Sequence, residues 1–392
     1  MQESWRWYGD LDTISLPEIR QTGATGIVTA LHEIPYGQVW PRGTIAQRRD
    51  RIRAAGMEWV VCESLPLHED IKRGTGDLTH LFAAYRQSLA NMAAEGIHTI
   101  CYNFMPLIDW TRTDLTAPVS GGGSCLRFEA TKMAAFELHM LGRQGAADEY
   151  PPDVLENAAQ WFAASTQADR DALLNAIMCG LPGAYDRYDI DSLRGALATY
   201  DGLTKSDIRA NYQRFLDEVI PTADELGMRL CVHPDDPPRD ILGLPRIVSN
   251  ADDIDWVMAA YASPANGLTL CTGSLGAGPG NDPVAIAETH ASRIHFVHLR
   301  NVRKDPDGSF EEAAHLDGDT DMTGIARVLL AEEKRRVAEG RTDTTLPWRP
   351  DHGHALLSDA DRQSFPGYPL IGRMRGLAEL RGVLHAVQAM TS

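Results

Sequence analysis

Short apolar runs rich in β-branched residues alternate with longer segments of helical periodicity along most of the chain. This alternation is typical of βα units, in which helices cover a parallel sheet. Eight of the runs are predicted strands: Trp5–Tyr8, Gly26–Leu31, Glu58–Glu63, His98–Asn103, Met228–His233, Leu268–Ser274, Ile294–Arg300 and Thr345–Asp351. A predicted helix follows each strand, in order at Leu16–Thr22, Thr44–Ala55, Leu78–Glu95, Ser206–Leu226, Asn250–Ala262, Pro283–Ala291, Met322–Ala338 and Gly376–Ala389. Because such a sheet closes at eight strands, the pattern predicts an α/β fold of the (β/α)8 barrel type.

Residues 104–205 interrupt this alternation. They contain no convincing strand but four segments of helical pattern: Ala130–Leu141, Pro152–Ala164, Asp169–Cys179 and Asp191–Tyr200. Since a structureless loop of this length is rare in a compact domain, the pattern predicts a helical insertion after the fourth strand of a single barrel domain spanning residues 1–392. Loops that follow barrel strands rise from the face that holds the active site, so we expect the insertion to lie beside that site.

The composition narrows the classes of partner. The 392 residues include 37 Lys and Arg against 54 Asp and Glu, a net charge of −17. So acidic a surface disfavours nucleic acid and anionic membranes as partners. No run reaches the roughly 20 apolar residues of a membrane span, and the first residues, MQESWRWYGD, do not resemble a signal peptide. We therefore expect a cytoplasmic protein with free thiols, and a homo-oligomer because barrels of this size often associate.

Four predicted strands in succession end in side chains that bind metals. The fifth strand ends at His233, the sixth carries Cys271, the seventh carries His298 and the eighth ends at Asp351. Taken singly, a strand-end His is more often structural and a buried Cys is more often a small core residue, as expected for Cys231. At equivalent ends of consecutive barrel strands, however, the four donors converge on one mouth, which predicts a site for a divalent transition metal.

Other polar side chains are predicted at the same mouth. His352 follows Asp351 directly, and Arg300 and Asn301 follow the seventh strand. The second and fourth strands lead into His32 and Asn103. A metal combined with Arg, Asn and His suits a small anion with many hydroxyls, so we expect the substrate to be a sugar acid rather than an apolar ligand.

Motifs along the whole chain are similar to those of a known family. They are WRWYG, GATGIVTALHEIPYGQVW, LCVHPDDPP, CTGSLG, HFVHLRN, HLDGDTDM, RPDHGH and PGYPLIGRMRGLAELRG. Together they resemble the D-mannonate dehydratase family of hexuronate (glucuronate) catabolism. The resemblance implies a xylose-isomerase-like barrel that uses Mn²⁺ or Fe²⁺ to convert D-mannonate into 2-dehydro-3-deoxy-D-gluconate and water.

The resemblance also implies roles for individual residues. It makes the four strand-end donors the metal ligands, and it matches His352 and Tyr368 to the family's proposed catalytic pair. Arg373 is then expected at the substrate site, as a cation near Tyr368. Which member of the pair is the base is left open. The metal is left open too, because thiolate and imidazole also suit Zn²⁺, whereas Mn²⁺ prefers oxygen ligands.

Two other functions fit parts of the pattern. A metal-dependent sugar isomerase or epimerase would use the same barrel, although such sites are commonly carboxylate-rich and the Cys271 thiolate fits them poorly. A non-catalytic protein that binds sugar acids or metals would need the ligands but neither His352 nor Tyr368. The product formed from mannonate distinguishes these three functions.

Overall fold

Eight parallel strands close into a barrel in this computed structural model, which describes residues 1–180 and 188–391. The barrel strands, in chain order, are β1 (Gln2–Arg6), β2 (Gly26–Thr29), β3 (Glu58–Glu63), β4 (Thr99–Tyr102), β5 (Arg229–Val232), β6 (Asn266–Cys271), β7 (Ile294–Leu299) and β8 (Pro347–Pro350). The barrel closes because β1 pairs in parallel with both β2 and β8. The predicted (β/α)8 fold is confirmed.

A helix packs outside the barrel after each strand. These helices are α1 (Leu16–Gln21), α2 (Arg42–Ala54), α3 (Thr79–Ala94), α4 (Lys205–Glu225), α5 (Ala251–Ala260), α6 (Pro283–His290), α7 (Met322–Ala338) and α8 (Leu370–Thr391). Several begin where a polar side chain caps the first turn: the side chains of Asn250, Asp282 and Asp321 each accept from backbone N–H groups at the start of α5, α6 and α7. Shorter helices and turns lie at Gly9–Leu11, Glu69–Arg73, Thr272–Gly276, Ala291–Arg293 and Leu357–Asp361.

The start of α8 differs from its predicted position. The helix begins at Leu370, six residues before the predicted start at Gly376. The prediction began too late because Gly372 and Gly376 have low helical propensity and obscure the helical pattern of the first turns. The structure shows why a glycine is required at one of these positions. A Cβ at Gly372 would lie 1.8 Å from the carbonyl oxygen of His354, so only glycine allows the loop after β8 to pass so close to the helix.

Buried apolar side chains fill part of the barrel interior. A buried cluster joins side chains of five strands and no helix, and it therefore lies inside the barrel: Val28, Val61, Cys101, Cys231 and Phe296. Cys231 is fully buried there, as the sequence predicted. The larger hydrophobic core lies between the strands and the surrounding helices. Because these side chains occupy the interior, a binding site is expected at an open end of the barrel.

The insertion is mainly helical, as predicted, but it also contains two strands that the sequence pattern did not predict. The helical part comprises Ala130–Ala135, which continues as a π-helical segment at Phe136–Leu141, and then Ala146–Glu149, Pro152–Ala164, Gln167–Ile177 and Ile190–Ala198. A hairpin of two strands, Asp114–Pro118 and Ser124–Phe128, precedes it. These strands are short, and their outer partners come from far along the chain, which is why the local pattern missed them.

The hairpin belongs to a four-stranded antiparallel sheet that we call the cover sheet. Its other two strands follow β7, and in spatial order the sheet runs Val302–Lys304, Phe310–Glu312, Ser124–Phe128 and Asp114–Pro118. A bridge between Ser124 and Ala355 ties the sheet to the loop after β8. The insertion and the loop after β7 therefore meet at the active-site end of the barrel.

No helix among the described residues has the length and hydropathy needed to cross a bilayer.

Candidate active site and metal centre

A small cavity lined mainly by polar and charged side chains lies at the carboxyl ends of the barrel strands. The predicted site residues that line it are Asn103, His233, Arg300, Asp351, His352 and Tyr368. Its wall is completed by Glu63, Asp109, Trp110, Asp236 and Arg349. Two of these, Asp109 and Trp110, come from the insertion, so the insertion forms part of the cavity as the sequence predicted.

Three of the four predicted metal ligands converge beside this cavity, which one of them, His233, lines. The ligand atoms of His233, Cys271 and His298 all lie within 4.8 Å of one another. The fourth predicted ligand, Asp351, places Oδ2 3.8 Å from His298 Nδ1 and 3.9 Å from Cys271 Sγ. Four consecutive strands thus bring two imidazoles, a thiol and a carboxylate to one point.

Contacts outside the cluster orient both imidazoles: a hydrogen bond for His233 and a nearby carboxylate for His298. Nδ1 of His233 lies 2.7 Å from the carbonyl of Pro234, which can only accept, so Nδ1 carries the proton and Nε2 presents its lone pair. That Nε2 lies 3.1 Å from His298 Nδ1. Glu63 Oε1 lies 3.5 Å from His298 Nε2, which favours a proton there and a lone pair on Nδ1. Both free lone pairs therefore face the cluster.

The Cys271 sulfur also lies among hydrogen-bond donors. Ser274 directs its backbone N–H at 3.4 Å and its hydroxyl at 3.1 Å toward Sγ. The resulting set of two oriented imidazole nitrogens, one sulfur and one carboxylate oxygen fits a divalent transition metal.

A buried charge network surrounds the cluster. It consists of four arginines and four carboxylates, all nearly inaccessible to solvent: Arg6, Arg112, Arg300, Arg349, Glu63, Asp236, Glu312 and Asp351. Arg349 donates to Glu63 at 2.9 and 3.1 Å and also pairs with Asp351. Burial alone would raise the pKa of Glu63, but Arg349 and Arg6 outweigh it and hold that pKa well below its usual range.

Arg300 lies at the centre of the second half of the network. Its guanidinium pairs with Asp236 at 2.9 Å, with Asp351 at 3.2 Å and with Glu312 at 3.2 Å. Arg112 from the insertion makes two further hydrogen bonds to Asp236, at 2.7 and 3.1 Å. Burial by itself would raise the pKa of Asp236, yet Arg112 and Arg300 lower it below its usual value. The predicted substrate-contact residue Arg300 is therefore already engaged by protein carboxylates.

His352 and Tyr368 lie side by side against the cavity. Their ring centroids are 5.0 Å apart and the rings are perpendicular. Tyr368 donates its hydroxyl to Asp351 Oδ1 at 3.4 Å, and His352 Nδ1 lies 3.0 Å from Glu312 Oε1. Burial, together with the charge of Asp351, raises the pKa of Tyr368 well above its ordinary value. The indole of Trp110 packs edge-on against His352 at 5.4 Å.

Three predicted substrate contacts lie outside the cavity lining. The side chain of Asn301 contacts the loop after the cover sheet, where it donates to the carbonyls of His315 and Thr320. Arg373 is fully buried beneath Tyr368, where it donates to three backbone carbonyls and packs 4.1 Å from the Trp5 ring. His32 packs against Tyr8 with ring centroids 5.7 Å apart. These side chains support the residues that line the site.

Several site residues were missed by sequence reasoning, and some of them carried a usable signal. Arg349 lies two residues before Asp351 on β8, so it faces the same side of the strand. Asp236 follows His233 by three residues within the same strand-end motif. Arg112 and Glu312 carried no such signal, since they lie 200 positions apart and are brought together by the cover sheet.

Comparison with known proteins agrees with this architecture over its whole length. The sequence model of the D-mannonate dehydratase (UxuA) family matches residues 1–392. Mannonate dehydratase of Chromohalobacter salexigens is 51% identical over 391 residues and covers 100% of both chains. That of Marinomonas sp. is 49% identical over 384 residues, 98% of each chain. The crystal structure of mannonate dehydratase from Streptococcus suis serotype 2 has a TM-score of 0.78 at 32% identity, covering 100% of this chain and 94% of that chain. The chain belongs to the D-mannonate dehydratase family.

Proposed function

We propose that this hydro-lyase converts D-mannonate into 2-dehydro-3-deoxy-D-gluconate and water at a metal centre formed by His233, Cys271, His298 and Asp351. The observation that carries the proposal is the convergence of these four side chains at the mouth of the barrel, three of them with ligand atoms within 4.8 Å. The family expected from the sequence motifs is confirmed by the match over residues 1–392.

The donor set supports a divalent ion as cofactor, and Mn²⁺ or Fe²⁺ is the proposed choice. When bound, such an ion supplies Lewis acidity that stabilises the negative charge developing on the carboxylate side of the substrate. The hydrogen bonds to His233 and Cys271 orient these donors in advance, so little rearrangement is needed to hold the ion.

Dehydration requires two proton transfers, and the proposed pair for them is His352 and Tyr368. The proton on C2 of the substrate must be removed, and the hydroxyl on C3 must gain a proton as it leaves. Both side chains line the cavity, with ring centroids 5.0 Å apart. Neither belongs to the proposed ligand set, so both are available for protons.

The substrate hydroxyls need polar contacts as well. Asn103 lines the cavity at the end of β4 and donates to Asp109 Oδ2 at 2.7 Å. We assign this pair to hydroxyls of the sugar chain. The predicted contact Arg300 also lines the cavity, but its pairing with three carboxylates gives it a positioning role.

Product analysis tests the proposed function directly. Protein loaded with Mn²⁺ and incubated with D-mannonate should form a 2-keto-3-deoxy acid, detected by a colour reaction specific for that group. An isomerase or epimerase would return a rearranged sugar acid without loss of water, and a binding protein would return unchanged mannonate. Either result would exclude the dehydratase assignment.

The two cysteines on neighbouring strands give a matched test of the ligand set. Cys271→Ser should reduce Mn²⁺ affinity by about 100-fold or more, since loss of an outer-shell partner alone costs about 10–100-fold. Cys231→Ser should leave the affinity near that of the wild type, because Cys231 packs in the barrel interior and its thiol contacts the Ile100 carbonyl. Metal content after gel filtration, measured by mass spectrometry, checks both variants. Equal losses would contradict the assignment of Cys271.

The cytoplasmic location and the homo-oligomer expected from the sequence stay predictions.

A further inference from the structure

We propose that Glu312 is a positioning residue for His352, held in place by Arg112 of the insertion and Arg300 of the loop after β7. The inference rests on the proposed proton transfer by His352. It gives a function to the cover sheet and to the start of the insertion, neither of which supplies a proposed metal ligand or a member of the proton-transfer pair.

The first observation is the set of contacts around the Glu312 carboxylate. Glu312 ends a strand of the cover sheet and is 1% exposed. Its Oε1 lies 3.0 Å from Nδ1 of His352 and accepts a hydrogen bond from Arg112 Nη2 at 2.8 Å. Oε2 lies 3.2 Å from Nε of Arg300. Two guanidiniums thus hold the carboxylate in one orientation against the imidazole.

The second observation concerns which nitrogen of His352 carries the proton. The guanidiniums of Arg112 and Arg300 both pair with Glu312, so its carboxylate is an anion that only accepts. A lone pair on Nδ1 facing this anion would be repelled. Nη1 of Arg300 also lies 3.2 Å from Nδ1 of His352, but it is equally close to Oδ2 of Asp351, at 3.2 Å. The Nη1 proton is donated to Asp351, because that acceptor is charged. Nδ1 of His352 therefore carries the proton.

This arrangement determines the role of the other ring nitrogen. In a neutral imidazole whose Nδ1 is protonated, Nε2 has the lone pair. The ring itself is held edge to face between Trp110 and Tyr368, at centroid distances of 5.4 and 5.0 Å. Glu312 thus selects the tautomer while the aromatic rings restrict the ring plane, which leaves Nε2 as the atom that exchanges protons with the substrate.

Arg112 explains why the insertion is needed for this arrangement. It is fully buried and bridges Asp236, three residues after His233, to Glu312 on the cover sheet. The insertion is therefore tied to both the metal-binding side and the proton-transfer side of the cavity. Without Arg112, one of the two cations that hold Glu312 would be lost.

The test compares Glu312→Ala and Glu312→Gln with Glu311→Gln. Glu311 is a control on the same strand, and its partners, Arg127 and Arg303, do not line the cavity. We expect Glu312→Ala to lower kcat by about 100-fold or more, the usual scale of a general acid–base contribution, with KM and Mn²⁺ content little changed. Glu312→Gln should recover part of kcat, since its amide oxygen still accepts from Nδ1. The control should match the wild type.

A spectroscopic measurement separates positioning from a structural role. In ¹⁵N-histidine-labelled protein loaded with diamagnetic Zn²⁺, the His352 signals, identified by their loss in His352→Asn, should show a protonated Nδ1. In Glu312→Ala they should shift toward the other tautomer, whereas Glu312→Gln, whose amide oxygen still accepts from Nδ1, should keep it. An unchanged tautomer in Glu312→Ala, or a fall in kcat explained by loss of metal, would overturn the inference.

The outcomes also separate this inference from the proposed function. Normal turnover of Glu312→Ala together with an inactive His352→Asn would overturn the positioning role alone. Normal turnover of His352→Asn would instead overturn the proton-transfer role on which the inference rests.

Discussion

Removal of the divalent ion should abolish binding of D-mannonate as well as its turnover, and Mn²⁺ or Fe²⁺ should restore both. The substrate is an anion, and both arginines that line the cavity already face protein carboxylates. Arg300 pairs with Asp236, Glu312 and Asp351, and Arg349 pairs with Glu63 and Asp351. In this cavity a substrate carboxylate would lose its hydrating water, and neither arginine would be free to pair with it.

Calorimetric titration of D-mannonate into chelator-treated protein measures this directly. No binding heat is expected for the metal-free protein, whereas the same sample reloaded with Mn²⁺ should bind and turn over substrate. The chelated protein should keep its circular dichroism spectrum, which shows that the loss is not due to unfolding. Equal affinity of the metal-free and the reloaded protein would mean that the arginines are sufficient to bind the substrate anion.

Replacement of His352 by asparagine should lower kcat by about 10²–10⁴-fold while the Mn²⁺ content stays that of the wild type. The large effect is expected because the imidazole lines the cavity next to Tyr368 and its Nδ1 is held by Glu312. The metal should be retained because the four proposed ligands are unchanged. Loss of metal and activity together would instead indicate that His352 supports the metal centre.

His385→Asn is the matched control for this variant. His385 is exposed on α8 and lies beside Met1 and Thr345, at the end of the barrel opposite the cavity, so the same substitution there should leave kcat unchanged. Steady-state kinetics and metal analysis of both variants complete the test. Near-normal turnover of His352→Asn would remove its proton-transfer role.

Much of the fold followed from local patterns. The strand Glu58–Glu63 and the helix Met322–Ala338 have the predicted bounds, because alternation and helical periodicity reflect burial against near neighbours in the chain. The first strand was placed too late: it spans Gln2–Arg6, while Trp7 and Tyr8 are buried just beyond its end. Burial outside a strand produces the same pattern as burial within one, so the boundary could not be read from it.

The proposed metal donors were also accessible from the sequence. Parallel strands of a closed barrel end at one face, so donors at the ends of consecutive strands lie close together whatever the conformation of the loops. The same reasoning does not place Asn301 in the cavity lining. Asn301 follows β7 by two positions, where loop packing directs its side chain into backbone contacts. Position near a strand end does not determine where a side chain points once the strand has ended.

The sequence by itself therefore determined the barrel, the family and the residues that meet at the strand ends, because each depends on periodicity or on motifs within short stretches of chain. Only the tertiary structure decided that the insertion contributes a hairpin to a sheet, and that Arg112 reaches Glu312 across 200 positions. Pairing between such distant segments depends on which surfaces the folded barrel leaves to be covered. That is a property of the assembled packing, and no local pattern records it.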